Sequence, residues 1–277
     1  MHVLEVEDAS GSRSKVVLRR RLADGGHPDT ADDARFEFSI LEVLQAEKVP
    51  APSPILLDAE GRYFGAPALV LSYLPGRPLY ATKNVGAWVE GLASALAKVH
   101  AITPDRVAMP QREPFLRDAI HLEISDRRDN LTEAEPLAQG IHLALEAVLD
   151  HIAWVPPTLT HDDYWPGNTV WHRGRLVGII DWADAVVGDR RTDVAQCRVD
   201  LILSHGVEVA DGFLDSYLAL AGPLPDMRFF DLFRGLRGLL SYERWLAGYH
   251  DLGLTHLTAE VAGQRLRSFL TGILGDS

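Results

Sequence analysis

The pattern of apolar residues changes once along the chain, at Leu74-Pro75-Gly76, and this change limits the possible folds more than any other feature. Before it, short apolar runs alternate with turns, which is typical of strands. After it, apolar residues recur at helical spacing over long stretches. A β-rich first part followed by a helical second part predicts an α+β fold rather than one of alternating strands and helices.

The first part predicts the order strand, strand, helix, strand, strand. The strands are expected at residues 3–6, 16–18, 54–57 and 68–72. The first two flank a turn that contains Ser and Gly, and so predict a β-hairpin. The helix is expected at residues 34–47 and must end before Val49-Pro50, because proline disfavours the helical conformation in the residue before it.

The second part predicts seven helices, interrupted by one β-hairpin. The helices are expected at residues 84–101, 112–129, 136–151, 190–204, 208–221, 226–248 and 257–273. The hairpin strands are expected at 169–171 and 176–180, joined at Arg173-Gly174. We therefore predict two lobes, a small antiparallel sheet with one helix in residues 1–74 and a mostly helical lobe in residues 75–277. A helical core does not need a hairpin, so we expect the chemistry there.

Composition excludes several classes of protein. The chain has 277 residues, a formal net charge of −12 and one cysteine, Cys197. A single cysteine excludes an intramolecular disulfide and a cysteine-built metal site, and fits a reducing cytoplasm. No segment has the pattern of a signal peptide or a membrane span. The acidic balance disfavours nucleic acid as a partner and favours a cationic small molecule.

The densest polar segment, residues 160–168, has the sequence THDDYWPGN, and Asp181 follows it at the end of an apolar strand. Within it, His161, Asp163 and Asn168 form a His-x-Asp-x-x-x-x-Asn pattern. Phosphoryl transfer from a nucleotide needs a carboxylate that orients the attacking hydroxyl, and oxygen ligands for Mg²⁺. Asp163 fits the first need, and Asn168 and Asp181 fit the second.

This segment resembles that of the aminoglycoside phosphotransferase and choline kinase family, which shares the protein-kinase fold. HDDYWPGN is similar to the family's His-Gly-Asp-x-x-Pro-Gly-Asn loop, and Ile180-Asp181-Trp182 resembles its Ile-Asp-Trp. The resemblance implies that Asp163 is the catalytic base, that Asn168 and Asp181 bind Mg²⁺, and that His161 holds the loop. Asp193 lies in a segment that resembles the one that supports this loop in the family.

The resemblance extends to the first lobe. Arg19 occupies the place of the family's basic residue that contacts the nucleotide phosphates, and Glu37 that of its ion-pair partner. Ser72 and Leu74 lie in a segment similar to the connection between lobes, whose backbone groups would bind adenine. The implied activity is transfer of the γ-phosphate of ATP or GTP to a hydroxyl of a small molecule, with Mg²⁺.

Three features depart from the family pattern. Arg19 replaces a lysine, and a planar guanidinium changes the phosphate geometry. Asp162 replaces a glycine, which predicts a raised pKa for Asp163 or a further metal contact. Met1 falls where the second strand of the family would begin, so we expect the first strand and the glycine-rich loop that covers the phosphates to be missing.

Two other functions stay open. A missing glycine-rich loop favours a pseudokinase that binds a nucleotide without turnover. The pair His161-Asp162 also occurs in metal-dependent phosphohydrolases of the His-Asp type, but those sites gather ligands from helices, whereas Pro156-Pro157 and Pro166-Gly167 predict a loop here. Three further histidines are interpreted as helix-surface residues: His121, His142 and His151.

The identity of the acceptor is not encoded in a motif, and neither is the oligomeric state. Asp184 and Glu243 are candidates to meet a cationic acceptor, although exposed carboxylates are common. Five tryptophans are interpreted as core or rim residues rather than as a ligand cage. These are Trp154, Trp165, Trp171, Trp182 and Trp245.

Overall fold

A computed structural model describes residues 1–20, 30–80, 82–107, 117–127 and 135–275. The strands in these ranges are β1 (His2–Glu7), β2 (Arg13–Arg20), β3 (Pro54–Asp58), β4 (Ala68–Ser72), β5 (Thr158–Thr160), β6 (Thr169–His172), β7 (Arg175–Ile179) and β8 (Val186–Gly188). The helices are α1 (Ala31–Ala46), α2 (Val85–His100), α3 (Arg117–Arg127), α4 (Pro136–Val148), α5 (Arg191–Ser204), α6 (Val207–Ala221), α7 (Met227–Asp251) and α8 (Ala259–Gly275).

The first four strands form one antiparallel sheet in the order β1-β2-β4-β3. The turn between β1 and β2 is fixed by Asp8, whose carboxylate accepts hydrogen bonds from the N–H groups of Ser10 and Ser12 at 2.8 and 3.0 Å. The predicted hairpin and the predicted order of strands and helix are confirmed.

Helix α1 packs against β3 and β4 and presents Glu37 to the interior. It begins with a capping box, in which the Thr30 hydroxyl accepts a hydrogen bond from the Asp33 N–H and the Asp33 carboxylate accepts one from the Thr30 N–H. It ends at Ala46, before Lys48 with its positive φ of 58° and before Pro50. The predicted span, 34–47, misses the first turn because the capping residues precede the apolar pattern.

The predicted helices of the second part are present, with ends that shift by a few residues. Of the predicted helix 112–129, residues 112–116 and 128–129 lie outside the described residues, and the rest is α3. The predicted hairpin is β6 and β7. A further antiparallel pair, β5 with β8, was not predicted, because strands of three residues are too short to show an alternating pattern.

Helix α5 lies at the centre of the helical part, packed against α6, α7 and α8, and all of its residues are buried. Its polar side chains therefore need partners inside the protein. Arg198, for example, is paired with Asp231 at 3.0 Å. The interpretation of His142 as a helix-surface residue is wrong: its ring is buried in α4, where that helix packs against α7 and α8.

The sheet and the helical part contact each other at several points. The N–H of Ile179 donates to the carbonyl oxygen of Pro50 at 2.8 Å, and α1 packs against the turn at Trp182–Asp184. The arrangement is the predicted α+β fold, with the antiparallel sheet and α1 before residue 75. The boundary between lobes at residues 74 and 75 stays a prediction. Within the described ranges, no helix combines the length and the apolar character that a membrane crossing requires.

Candidate active site

The loop at residues 161–168, here called the acidic loop, connects β5 to β6. Asp193 supports this loop through two hydrogen bonds to its backbone. The carboxylate of Asp193 accepts hydrogen bonds from the N–H groups of His161 at 2.7 Å and Asp162 at 2.8 Å. The pairing of β5 with β8 brings the first turn of α5, and with it Asp193, under the loop. Asp193 is therefore placed as a loop-supporting residue should be.

The charge of Asp193 is stabilised by residues that the sequence did not point to. His100 on α2 binds its Oδ2 through Nε2 at 3.1 Å, and the other ring nitrogen binds the Tyr217 hydroxyl at 2.7 Å. Burial by itself raises the pKa of Asp193, but the hydrogen bonds and the nearby His100 and His161 outweigh it and leave the pKa below its ordinary value.

His161 is fully buried and links the acidic loop to the end of β7. Its Nε2 donates to the carbonyl oxygen of Ile180 at 2.9 Å, its Nδ1 accepts from the Asp163 N–H at 3.3 Å, and its ring packs on Trp182. Both ring nitrogens are thus used inside the protein. This geometry suits a residue that holds the loop and does not suit a metal ligand.

Asp163 and Asn168 are bound to each other across the acidic loop. The Asn168 amide donates to the Asp163 carboxylate and to the Asp163 carbonyl oxygen, both at 2.9 Å. Burial raises the pKa of Asp163, while the neighbouring His161 and the Asn168 hydrogen bond oppose this and Asp184 adds to it. A carboxylate whose pKa lies above its ordinary value is a better proton acceptor.

Asp181 lies next to Asn168, because the Ile180 N–H donates to the Asn168 carbonyl oxygen at 2.8 Å. Its backbone has a positive φ of 67°, and about half of its side chain is exposed. The Arg19 guanidinium donates to its carboxylate at 2.7 Å and to that of Glu37 at 2.8 Å. The predicted pairing of Arg19 with Glu37 is present, and Asp181 is a further partner.

Asp162 does not turn towards the metal ligands, so the expectation of a further metal contact is wrong. Its carboxylate forms an ion pair with Arg234, a buried residue of α7. The raised pKa expected for Asp163 is present, but its main cause is burial rather than Asp162. The φ of Asp162 is 61°, in the left-handed region that favours glycine.

One cavity, here called the sheet cavity, lies between the sheet, α1 and the end of β7 and has a volume of about 240 Å³. Five of the six residues predicted to bind the nucleotide and its metal line it, together with apolar side chains: Arg19, Glu37, Ser72, Leu74 and Asp181. The sixth, Asn168, lines neither this cavity nor the one described next. The N–H of Ser72 donates to the Ser53 carbonyl oxygen at 2.9 Å and is therefore already used. Of the two positions predicted to bind adenine, the backbone of Leu74 is the better candidate.

A second cavity, here called the helix cavity, lies on the α5 and α7 side of the acidic loop and has a volume of about 270 Å³. It is lined by Asp163, Trp165, Gln196, Asp200, Arg237, Arg244, Trp245, Gly248 and Tyr249. Asp184 and Glu243, the candidates for binding a cation, are not among them. Trp165 and Trp245 form part of its wall, Trp154 is partly buried against the core, and Trp171 and Trp182 are buried.

Sequence reasoning missed the polar residues of the helix cavity. Asp200 accepts hydrogen bonds from the Tyr249 hydroxyl and, at 2.8 Å, from the Gln196 amide. Burial raises the pKa of Asp200 to about 7. Gln196 and Asp200 are four residues apart and so share a helix face, but the buried helix around them shows no polar stripe that would have marked them.

The oxygen donors of Asn168 and Asp181 fit a hard divalent cation. Asn168 and Asp181 offer an amide oxygen and a carboxylate, the oxygen ligands that Mg²⁺ prefers, and a nucleotide and water supply the remaining ligands in such sites. No group of three or more His, Cys, Asp or Glu side chains suited to a metal occurs in the described residues.

Sequence comparison gives relatives that are longer than this chain. The chain is 28% identical over 200 residues to homoserine kinase of Nitrobacter hamburgensis, an alignment that covers 68% of this chain and 56% of that protein. It is 24% identical over 294 residues to a protein of Arabidopsis thaliana described as probable acyl-CoA dehydrogenase IBR3, covering 90% of this chain and 35% of that protein. The chain therefore spans between a third and three fifths of these relatives.

Solved structures share the fold along nearly the whole chain. A thermostable mutant of aminoglycoside phosphotransferase APH(4)-Ia, in a ternary complex with ADP and hygromycin B, matches with a TM-score of 0.63 at 15% identity, covering all of this chain and 95% of that one. Amicoumacin kinase hAmiN, in complex with AMP-PNP, Ca²⁺ and Ami, matches with a TM-score of 0.60 at 16% identity, covering 98% and 85%. The fold is protein-kinase-like.

The model of one protein family matches most of the chain, residues 3–233. These residues include the acidic loop, Asp181, the lining of the sheet cavity apart from Met1, and the part of the helix cavity that precedes α7. With the fold and the arrangement of Asp163, Asn168 and Asp181, this match shows that the chain belongs to the phosphotransferase enzyme family known as APH.

Proposed function

We propose that this protein transfers the γ-phosphoryl group of ATP or GTP to a hydroxyl of a small molecule. The observation that carries the proposal is the connection of Asp163 and Asp181 through Asn168, whose amide binds the Asp163 carboxylate and whose carbonyl oxygen binds the N–H of Ile180, next to Asp181. Asp163 lines the helix cavity and Asp181 lines the sheet cavity, so an acceptor in the first would meet a nucleotide phosphate in the second at the acidic loop. The two structures named above that share this fold contain a nucleotide together with a second small molecule, which supports the use of both by this chain.

In this proposal, Asp163 orients the acceptor hydroxyl and takes its proton. The acceptor oxygen forms a bond to the γ-phosphorus, the bond to the oxygen of the β-phosphate breaks, and the nucleoside diphosphate leaves. Burial raises the pKa of Asp163, which strengthens it as a proton acceptor. His161 and Asp193 hold the loop, and therefore this carboxylate, in place.

Asn168 and Asp181 would hold the divalent cation, which we propose to be Mg²⁺, and Arg19 would bind the nucleotide phosphates. The cation neutralises phosphate charge when it is bound. Arg19 already has two carboxylate partners, Glu37 and Asp181. Glu37 is only 1% exposed and holds one end of the guanidinium, while Asp181 is half exposed and can be shared with the cation.

The proposal is tested by ADP release from Mg·ATP in the presence of single hydroxyl compounds, with phosphorylated product identified by mass spectrometry. The panel should contain homoserine, other amino-acid alcohols, sugars, choline, aminoglycosides and macrolides. We expect ADP release that depends on one class of acceptor and is lost in Asp163→Asn. Nucleotide binding without acceptor-dependent turnover for any class would contradict the proposal and favour the pseudokinase.

A further inference from the structure

Arg237 lies on α7, lines the helix cavity beside Asp163, and is half-buried. Among the described residues it has no hydrogen bond and no ion pair, in contrast to three other arginines of the helical core. Arg191, Arg198 and Arg234 are each paired with a carboxylate, Asp189, Asp231 and Asp162 respectively. Three carboxylates, those of Asp162, Asp163 and Asp200, act on Arg237 electrostatically, but none of them forms an ion pair or hydrogen bond with it among the described residues. Its N–H groups can therefore take a bound ligand as a hydrogen-bonded counter-charge.

The carboxylates of the helix cavity are already used. Both oxygens of Asp200 accept hydrogen bonds, from Tyr249 and Gln196, and the residue is buried. Because burial raises the pKa of Asp200 to about 7, it carries only part of a negative charge near neutral pH. Asp163 is the group that meets the reacting hydroxyl. The charged side chains of this cavity that remain available to a ligand are therefore those of Arg237 and Arg244, and both are positive.

The two arginines lie at different depths of the same wall. They are seven residues apart on α7, which places them on one face of the helix and about 10.5 Å apart along its axis. Arg237 is half-buried and close enough to Asp163 to oppose the burial that raises its pKa, whereas Arg244 is exposed at the mouth. The aromatic rings of Trp165, Trp245 and Tyr249 line the space between and suit an apolar stem.

We propose that the acceptor of this enzyme carries a carboxylate, which Arg237 binds in the helix cavity while the acceptor hydroxyl meets Asp163. The proposal rests on the proposed function and names its substrate class. A guanidinium binds a carboxylate through two parallel N–H···O bonds, and this fixes the orientation of the acceptor as well as its affinity. The net charge of −12 favoured a cationic acceptor, but that charge is spread over the whole chain, and the cavity itself is lined by two arginines as well as two aspartates.

The test compares hydroxy acids with their carboxamides, which keep the shape and remove the charge. Homoserine, 3-hydroxybutanoate and 4-hydroxybutanoate, each with its carboxamide, are assayed as acceptors with Mg·ATP, and kanamycin serves as a cationic comparison. We expect the acids to exceed the carboxamides in kcat/KM by about 10-fold or more. Arg237→Met should lower kcat/KM for the acids by about 10- to 100-fold, mainly through KM, and change the carboxamides little.

Two variants keep the result interpretable. Arg237→Lys retains the positive charge but lacks the two parallel N–H donors of a guanidinium. It should therefore recover part of the preference for acids that Arg237→Met loses. Arg175→Met removes an exposed arginine of β7 that lines neither cavity and should change nothing. If Arg237→Met slows acids and carboxamides equally, Arg237 acts on the phosphoryl group and the proposal is overturned. Kanamycin as the preferred acceptor would overturn it and leave the phosphotransfer function intact.

Binding measured by titration calorimetry separates this proposal from the proposed function. The acids and carboxamides are titrated into wild type, Asp163→Asn and Arg237→Met, in the absence of turnover. A preference for acids that is kept in Asp163→Asn and lost in Arg237→Met supports the carboxylate site even where no ADP is released. Equal binding of acids and carboxamides, or no binding of the acids, overturns it.

Discussion

Arg19 on β2 donates a hydrogen bond of 2.7 Å to Asp181, although 162 residues separate them along the chain. This contact joins the sheet to the end of β7. The same guanidinium binds Glu37 on α1, so three elements meet at one cation. Asp181 is also a predicted metal ligand. When a cation and a nucleotide bind, they must therefore either share the Asp181 carboxylate with Arg19 or break the contact between these two residues.

Asp181→Ala should therefore weaken binding of Mg·ATP rather than the chemical step. Saturating ligand stabilises a protein by about 2.7 kcal/mol at 100 times its Kd, and we expect most of that stabilisation to disappear in this variant. The measurement is the rise in melting temperature with ATP, in Mg²⁺ and in EDTA. Asp184→Ala, an exposed carboxylate in the next helical turn, is the matched control. A Mg²⁺-dependent shift equal to that of wild type would show that Asp181 does not hold the cation.

Asp163→Asn should remove turnover and leave nucleotide binding nearly unchanged. The amide keeps the size of the side chain but cannot take a proton, and general-base catalysis contributes roughly 10²- to 10⁴-fold. ADP release measures the first effect, and the melting-temperature shift with Mg·ATP measures the second. Turnover within about threefold of wild type would rule out Asp163 as the base.

Asp162→Gly should destabilise the fold, even though glycine suits the left-handed backbone at this position better. The change relieves a conformation that costs a non-glycine residue about 1 kcal/mol, but it removes the carboxylate that faces the buried Arg234 guanidinium. Breaking a buried pair costs about 3–5 kcal/mol, so a net loss of about 2–4 kcal/mol is expected. Urea unfolding measures it. Arg234→Met in the same chain should restore part of the loss, and a stabilised single variant would contradict this interpretation.

Asp200→Asn should change how stability depends on pH. Burial raises the pKa of Asp200 to about 7, so between about pH 4 and pH 7 the folded state holds a proton that the unfolded state releases. Wild-type stability then falls as the pH rises through this window, by up to about 1.4 kcal/mol per pH unit from this group. The variant lacks that dependence. Unfolding by urea at pH 5 and pH 8 measures it, and equal pH slopes would show that Asp200 is charged at both pH values.

The local pattern of the chain was enough to predict the order of strands and helix along the first part and the main helices of the second. Arg19, Glu37 and Asp181 could be named because the resemblance to a family assigns a role to each position, and Arg19 and Glu37 lie on a strand and a helix that the pattern predicts. Asp163 and Asn168 could be placed because a short loop fixes the distance between them.

What could not be predicted depends on contacts between distant elements. Asp162 turns to Arg234, and Asp193 is charged beside His100, because helices that are far apart in sequence pack against each other. His142 has the spacing of a surface residue and is buried by α7 and α8. Arg237 belongs to a helix without a motif, and only the cavity beside it shows that it faces Asp163.

The hydrogen bond from the Ile179 N–H to the Pro50 carbonyl oxygen fastens the end of β7 to the segment between α1 and β3. Asp181 follows Ile179 by two residues, and Asn168 is bound through its carbonyl oxygen to the N–H of Ile180. A rotation of the sheet relative to the helices about this point would therefore move these two residues least. In the sheet order β1-β2-β4-β3, β1 is the edge strand opposite β3. The β1 edge would therefore move the farthest. Such a rotation would therefore change the distance from Arg19 on β2 to Asp181, while Asn168 and Asp181 kept their spacing through the hydrogen bond from the Ile180 N–H to the Asn168 carbonyl oxygen.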